Sequence, residues 1–334
     1  VKVVGFSPET SIQDADKHLL TIFDDYLAGI LIILRKYMYD ICCVGHITLD
    51  KVVTTKSVVH MAGGTSFYFS NAIRHMDVKY RLVTALAESE MNTVAELRAK
   101  GIEVDALPSR HTVYFENIYS ENQDHRTQRV LQKADPFSIE ALSHTEANIF
   151  HLGPLLADDM PVELIRSLSA RGKVSLDVQG YLRKVEDHNV FAIDWPAKQE
   201  AIKYIHTLKA NEHEMEVLTG HKEVRKGAIT LAEWGVKEVV ITLGSMGSVI
   251  YADGVFHRIP AYVPTMVIDA TGCGDTYMAG YLYQRSKGAS LQQAGEFAAA
   301  MATLKIESSG PFTGAKQDVL DLLANSREKI FATL

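Results

Sequence analysis

A chain of 334 residues, 47 % apolar and 22 % charged, is ordinary for a globular protein and long enough for one large or two modest domains with a substantial core. Its formal charge of −7 argues against a nucleic-acid-binding surface, which needs a basic face. Three cysteines, two of them adjacent, exclude a disulfide framework and a zinc spacing; they point to a reducing compartment, with the cytoplasm as the expected location.

Near the N-terminus the longest apolar run covers residues 27–34, too short to cross a bilayer. Asp14, Asp16, Asp24 and Asp25 precede it where a signal peptide would carry positive charge. Residues 1–38 read as an N-terminal extension with helix-like patterning, and no membrane partner is expected. From Tyr39 the pattern becomes regular. Strands are expected at 39–45, 80–86 and 102–107, with helices at 66–75 and 91–101. Alternation resumes with strands at 147–153, 173–178, 205–210, 237–244 and 247–253. Helices fall at 161–171, 197–205, 211–220, 274–286 and 290–306. Strand–helix alternation predicts a mostly parallel central sheet flanked by helices. Two extended excursions, near 51–60 and 111–133, break the rhythm and read as a small β-sheet lid on one domain covering 39–334. An unpaired lid edge invites pairing, so a homodimer through the lid is expected.

The stretch "VIDATGCGDTYMAGYL" (267–282) places two glycines and a carboxylate where a strand-like run meets a helix. Glycine lets the backbone turn sharply there and approach a ligand closely. The free N–H groups of a first helical turn form an anion site, and Gly272, Cys273 and Gly274 would aim such groups at a phosphate. Asp275 has two readings from the residues alone. It caps the helix, or it is a general base beside an anion hole, the constellation of phosphoryl transfer. The dinucleotide fingerprint lacks its third glycine and no Walker A pattern occurs, which disfavours a nicotinamide dehydrogenase and a P-loop nucleotidase.

"DATGCGDTYMAGYL" resembles the C-terminal signature of the ribokinase-like (PfkB) carbohydrate kinases, and the resemblance runs over about 40–325. It implies a ribokinase-like α/β fold and a kinase using ATP and Mg2+ on a small polyol. By position Asp275 would be the catalytic base, and the amides of Gly272, Cys273 and Gly274 the anion hole. Cys273 stands where the family usually has alanine and reads as a small packing residue. "TLGSMGS" (242–248) resembles the family's nucleotide loop, implicating Thr242, Gly244, Ser245 and Gly247, with Thr271 beside them. "NEHE" (211–214) resembles the Asn-x-x-Glu pair, so Asn211 and Glu214 would organise magnesium largely through water; the same residues also read as a helix cap. His213 reads as a surface residue.

On the acceptor side, Gly63 and Gly64 resemble the glycine pair against which the sugar lies, and Asp50 sits where an acidic residue holds substrate hydroxyls. The family often has an asparagine near position 68; here Tyr68 stands there, and Ser66 and Asn71 remain polar candidates. "GGTSFYFSN" and "LDVQGYLR" (176–183) are closest to the myo-inositol kinase branch, which adds Asp177, Gln179 and Arg183 as substrate or phosphate contacts. Arg126 and Arg129 are either solvated or within reach of a donor phosphate. The leading expectation is a kinase of a cyclitol such as myo-inositol. A kinase of a furanose sugar or nucleoside, and a catalytically silent sugar- or nucleotide-binding relative, are the alternatives.

Overall fold

Residues 38–55, 57–119 and 126–332 are described by the structure, a computed structural model. The expected extension falls almost wholly, and its helix entirely, outside the described residues.

Nine strands form the main sheet in the order β15-β14-β13-β12-β9-β8-β1-β4-β5. These are β1 (Tyr39–Val44), β4 (Tyr80–Leu86), β5 (Glu103–Pro108), β8 (Ala147–Leu152), β9 (Lys173–Asp177), β12 (Thr207–Asn211), β13 (Glu238–Thr242), β14 (Ser248–Ala252) and β15 (Val255–Ile259). From β5 to β13 every pairing is parallel, so all these strands deliver their carboxyl ends to one edge. β14 and β15 are antiparallel, joined by Asp253–Gly254, both at positive φ (49° and 78°), as a tight hairpin turn requires.

Central strands buried on both faces read as continuous apolar runs. In β1 the adjacent Cys42 and Cys43 show the pleat directly: they sit in the apolar clusters on opposite faces of the sheet and are free thiols. On the Cys43 face pack α1 (Thr65–Ile73), α7 (Cys273–Ser286) and α8 (Leu291–Ile306). The Cys42 face is covered by α3 (Val162–Ser169), α5 (Glu212–Thr219) and α6 (Val224–Glu233). The remaining helices are α2 (Met91–Ala99), the short α4 (Lys198–Ala201) and α9 (Lys316–Ala332).

A second sheet of six strands has the order β10-β11-β7-β6-β2-β3. It contains the two expected excursions as β2 (Thr48–Val53), β3 (Val58–Gly63), β6 (Val113–Tyr119) and β7 (Arg126–Gln132). It also contains β10 (Arg183–Glu186) and β11 (Asn189–Ala192), which the sequence pattern does not predict. Those strands are four residues long, and their connecting turn places Asp187 and His188 at φ 44° and 67° without a glycine, so the usual hairpin signal is missing. Val113, Phe115 and Val130 of this sheet pack on Leu155 and Leu156, which follow β8. Its inner face therefore stands over the carboxyl edge of the main sheet, where α/β proteins form their ligand crevice.

Candidate active site

The turn before α7 is pinned from several sides. Ile268 and Asp269 donate their amides to Ile306 O (2.8 and 3.2 Å). Asp269 Oδ1 accepts from the Thr271 amide (2.9 Å). The fully buried Lys305 donates to Asp269 O (2.8 Å), Asp269 Oδ2 (3.4 Å) and Ser308 O (3.2 Å). Burial alone would raise the Asp269 carboxyl; its bonds from Thr271 and the Lys305 charge outweigh this and hold it below the usual range.

Gly272 then takes φ +76°, a left-handed conformation that disfavours any side chain. A Cβ there would also collide with the Tyr68 ring from α1. The aromatic ring at position 68 thus occupies space that only a glycine at 272 leaves open. The expected three-amide anion hole is corrected at one position. The Cys273 amide is spent on Ala270 O (3.2 Å), whereas those of Gly272, Gly274 and Asp275 find no acceptor among the described residues. The Cys273 thiol contacts Ala302 O (3.7 Å), and burial pushes it up to about 11, consistent with a packing role.

Asp275, in the first turn of α7, lines the cavity under the second sheet. Burial, and then the neighbouring Asp177, push its carboxyl up to about 6; Lys209, a hydrogen bond from Thr65 and the Arg183 charge limit the rise. Lys209, near the end of β12, is buried with its Nζ 2.9 Å from Asp177 Oδ2 and 4.0 Å from Glu214 Oε2. Burial would lower this ammonium, but the surrounding carboxylates, Asp177 first, raise it and keep it charged. A Cβ on Gly274 would lie 3.3 Å from Lys209 Nζ, so the cation abuts the first turn of α7.

A chain of hydrogen bonds ties the "DVQGYLR" residues to the same centre. Arg183 donates to Gln179 Oε1 (2.9 Å), and Gln179 Nε2 donates to Thr65 Oγ1 (2.8 Å), whose hydroxyl is one of the groups that lower the Asp275 carboxyl. Gln179 and Arg183 line the cavity. Asp177 does not; it is fully buried behind them, fixing Lys209 and accepting from the Gln179 amide (3.3 Å). It positions the site rather than touching a ligand.

The cavity measures about 790 Å³. Asp50 projects into it from β2, braced by Thr48 Oγ1 (2.6 Å). Gly63 and Gly64 sit beside it. A Cβ on Gly63 would strike the Asp50 carboxylate, and one on Gly64 would lie 2.6 Å from His46 O. Val52, Met61, Phe115 and Leu155 supply apolar wall. Asn117 and Gln128, bonded to each other at 3.0 Å, supply amide groups on the second sheet. Two expected acceptor contacts are not brought to this wall. Ser66 is fully buried and donates to His46 O (2.7 Å), and Asn71 turns back on Phe67 O (2.9 Å) inside α1. Arg129 pairs with Glu116 (2.9 Å), on the strand face opposite the cavity-lining Phe115 and Asn117. The side chain of Arg126 is outside the described residues.

Thr242 ends β13 opposite Asn211 of β12. Gly244 and Ser245 form an exposed turn, and Gly247 backs onto Ile259–Ala261 at the end of β15. None of these lines the cavity, but all follow the same carboxyl edge. Asn211 and Glu214 form a reciprocal cap on α5: Asn211 Oδ1 accepts from the Glu214 amide (2.8 Å), and Glu214 Oε2 from the Asn211 amide (2.7 Å). His213 is exposed as expected. No cluster of three metal-ligating side chains occurs among the described residues.

Lys209 and Thr65 are site residues that the sequence pattern alone does not single out. For Lys209 a signal exists: a lysine inside the apolar strand run "IHTLKA" must be buried, and a buried ammonium must be paired.

The pfkB family carbohydrate kinase profile matches residues 38–318, and the chain belongs to that family. It is therefore a phosphotransferase acting on a hydroxyl of a sugar or nucleoside class of acceptor. Cytidine kinase of Thermococcus kodakarensis is 25 % identical over 274 residues, covering 77 % of this chain and 92 % of that protein. A pyrophosphate-dependent kinase of the ribokinase family, complexed with a pyrophosphate analog and myo-inositol, superposes with a TM-score of 0.76 at 27 % identity, covering 84 % of this chain and 99 % of the other. Arabidopsis thaliana ribokinase, complexed with ribose and ATP, gives a TM-score of 0.71 at 21 % identity, covering 86 % and 99 %. No helix among the described residues is long and apolar enough to cross a membrane.

Proposed function

We propose that the chain transfers the terminal phosphoryl group of ATP to a hydroxyl of a small polyol, with a cyclitol such as myo-inositol as the leading acceptor and Asp275 as general base. The carrying observation is Asp275 itself. It is a carboxylate pushed up to about 6, at the wall of the cavity, next to a buried ammonium and three uncommitted amides. A base with that affinity is ionised at neutral pH yet close enough to it to accept a proton in the transition state.

The acceptor hydroxyl gives its proton to Asp275 as its oxygen bonds to phosphorus and the bond to the leaving phosphate oxygen breaks. Lys209, the amides of Gly272, Gly274 and Asp275 and the dipole of α7 meet the charge on the phosphoryl oxygens. Asp50, backed by Gly63 and Gly64, accepts from acceptor hydroxyls, and Gln179 and Arg183 hold the ring or the phosphate. Thr242, Gly244, Ser245, Gly247 and Thr271 line the path of the nucleotide. Met246 (63 % exposed) on that turn and Val263 (90 % exposed) on the loop after β15 offer apolar surface for a base.

The residues fit a magnesium ion held through water. Every donor is oxygen, but Asn211 Oδ1 and Glu214 Oε2 are engaged in the cap, leaving Glu214 Oε1 for a hydrated ion. When bound, the ion neutralises phosphate charge. The second sheet acts as a lid on a kinase domain spanning 39–334, with 1–38 as an extension. Pairing through β3, whose Val58 and Val59 are 56 % and 49 % exposed, would give a homodimer. The free cysteines suit the cytoplasm.

A second reading, a nucleoside acceptor, is favoured by the cytidine kinase relative, which covers most of the chain. One assay separates them: acceptor-dependent release of ADP from ATP, or of phosphate from pyrophosphate, across cyclitols, pentoses, hexoses and nucleosides, with Asp275→Asn alongside. Turnover of a cyclitol that collapses in the variant supports the leading reading. Turnover of nucleosides alone selects the second. Saturable binding without turnover would leave a silent binder.

A further inference from the structure

One buried pair of titratable side chains lies outside the phosphoryl-transfer machinery. His46, between β1 and β2, is fully buried, and Asp159, in the loop after β8, is only 4 % exposed. His46 Nδ1 is 3.1 Å from Ala85 O, which can only accept, so Nδ1 carries a proton. The ring stacks on Phe137 with centroids 4.5 Å apart. His46 Nε2 faces Asp159 Oδ1 at 3.8 Å and has no hydrogen-bond partner among the described residues. Two acceptors do not face each other in a dry interior without a proton between them. Burial raises the Asp159 carboxyl, and the His46 charge offsets part of the rise. An apolar pair of the same volume would serve the fold as well or better, so stability alone does not call for this one.

What the pair does is join the segments that form one side of the cavity. Asp159 Oδ2 accepts from the amides of Leu155 (2.8 Å) and Leu156 (3.0 Å). Leu155 lines the cavity, and both leucines seat the second sheet. The same loop backs the other cavity residues. Ala157 donates its amide to Arg183 O (3.2 Å), and Tyr181 Oη donates to Met160 O (2.8 Å). A Cβ on Gly153 would lie 2.5 Å from the Thr65 side chain. His46 holds the opposite corner. Its carbonyl accepts from Ser66 Oγ (2.7 Å) and lies against Gly64, and its chain runs on into Thr48 and Asp50. Neither His46 nor Asp159 lines the cavity.

Resting on the kinase reading above, we propose that His46 and Asp159 are positioning residues for the acceptor, holding the Leu155 turn and the corner of Gly64 and Asp50 in one register. Acceptor affinity then depends on a pair that touches no substrate. The donor side, built on α7 and the turn after β13, has no contact with the pair and is indifferent to it. A directional polar contact suits this task because it fixes the distance between two segments, which an apolar contact does only loosely.

The test uses the whole chain and three variants. Asp159→Leu removes the acceptor of both amides. Asp159→Asn keeps one oxygen for those amides and turns an NH2 group toward Nε2. His46→Asn keeps a donor for Ala85 O but does not reach Asp159, and it carries the test if Asp159→Leu misfolds. The readouts are KM and kcat for myo-inositol or cytidine, KM for ATP, and calorimetric binding of each acceptor without donor. Asp159→Leu and His46→Asn are expected to raise the acceptor KM about 10-fold with the ATP KM unchanged, and Asp159→Asn to stay close to wild type. A merely structural pair would lower the melting temperature and the active fraction, and so kcat, while leaving both KM values alone. That result would overturn the proposal, as would acceptor and ATP KM rising together. If the wild type phosphorylates neither compound, the kinase reading fails and calorimetry decides the positioning role by itself. Weakened binding in the variants then supports it, and unchanged or undetectable binding overturns it.

Discussion

Lys209 Nζ lies 2.9 Å from Asp177 Oδ2, and both side chains are buried. This ion pair holds a buried positive charge against the first turn of α7. Neither residue tolerates loss of the other, because removing one partner strands the remaining charge.

Lys209→Met is therefore expected to destabilise the fold by about 3–5 kcal/mol and to slow turnover. It also removes one of the influences that limit the rise of the Asp275 carboxyl. The acidic limb of kcat/KM should move to higher pH in the variant. A pH–rate profile with a melting curve separates the catalytic from the structural loss.

Activity in the wild type should fall as pH drops through about 6, where Asp275 takes up a proton. Its stability effect has the opposite direction. The carboxyl is raised from 3.8 to about 6 on folding, so between those values the unfolded chain loses its proton first and the fold loses stability as pH rises. At 1.36 kcal/mol per pKa unit the penalty above pH 6 reaches up to about 3 kcal/mol. Asp275→Asn should thus abolish turnover and raise the melting temperature at pH 7.5, with the gain vanishing near pH 4.

Glu214→Gln distinguishes the two roles of the capping pair. Glutamine still serves at the third position of a capping box, so stability should change by less than about 0.5 kcal/mol. The magnesium concentration for half-maximal activity should rise severalfold. An unchanged magnesium dependence would remove Glu214 from the metal's surroundings.

Lys305→Met leaves Asp269 without its cation and frees the loop that carries Thr271 and Gly272. The expected outcome is a lower melting temperature and a raised donor KM with little change in acceptor KM. Steady-state kinetics with each substrate varied in turn reads this directly.

The parallel sheet and the helix that opens after Gly272 with Asp275 in its first turn are legible in the sequence because each rests on local pattern: apolar strand runs, glycines at a turn, a carboxylate at the start of a helix. What escapes is set by tertiary approach. Ser66 and Asn71 are polar and adjacent to the glycine pair, yet helical phase turns them inward to backbone carbonyls. Lys209 and Thr65 reach the site only because β12 and α1 converge on α7. The hairpin of β10 and β11 is hidden because its turn uses Asp187 and His188 where glycine or asparagine would announce it. Asn117 and Gln128 sit on the paired strands β6 and β7, whose alternation marks which face they share, but not that the face closes over a cavity.

The Tyr68 ring fills the hollow at Gly272, so a residue on α1 and one in the turn before α7 share a single volume. Their identities are not free to drift separately. A chain that carries an aromatic at 68 is bound to glycine at 272, and a side chain gained at 272 becomes tolerable only after the ring has shrunk, even then at the cost of a left-handed backbone. Substitutions at 68 must therefore stay compatible with the turn at 272, which narrows the order in which these two positions can diverge.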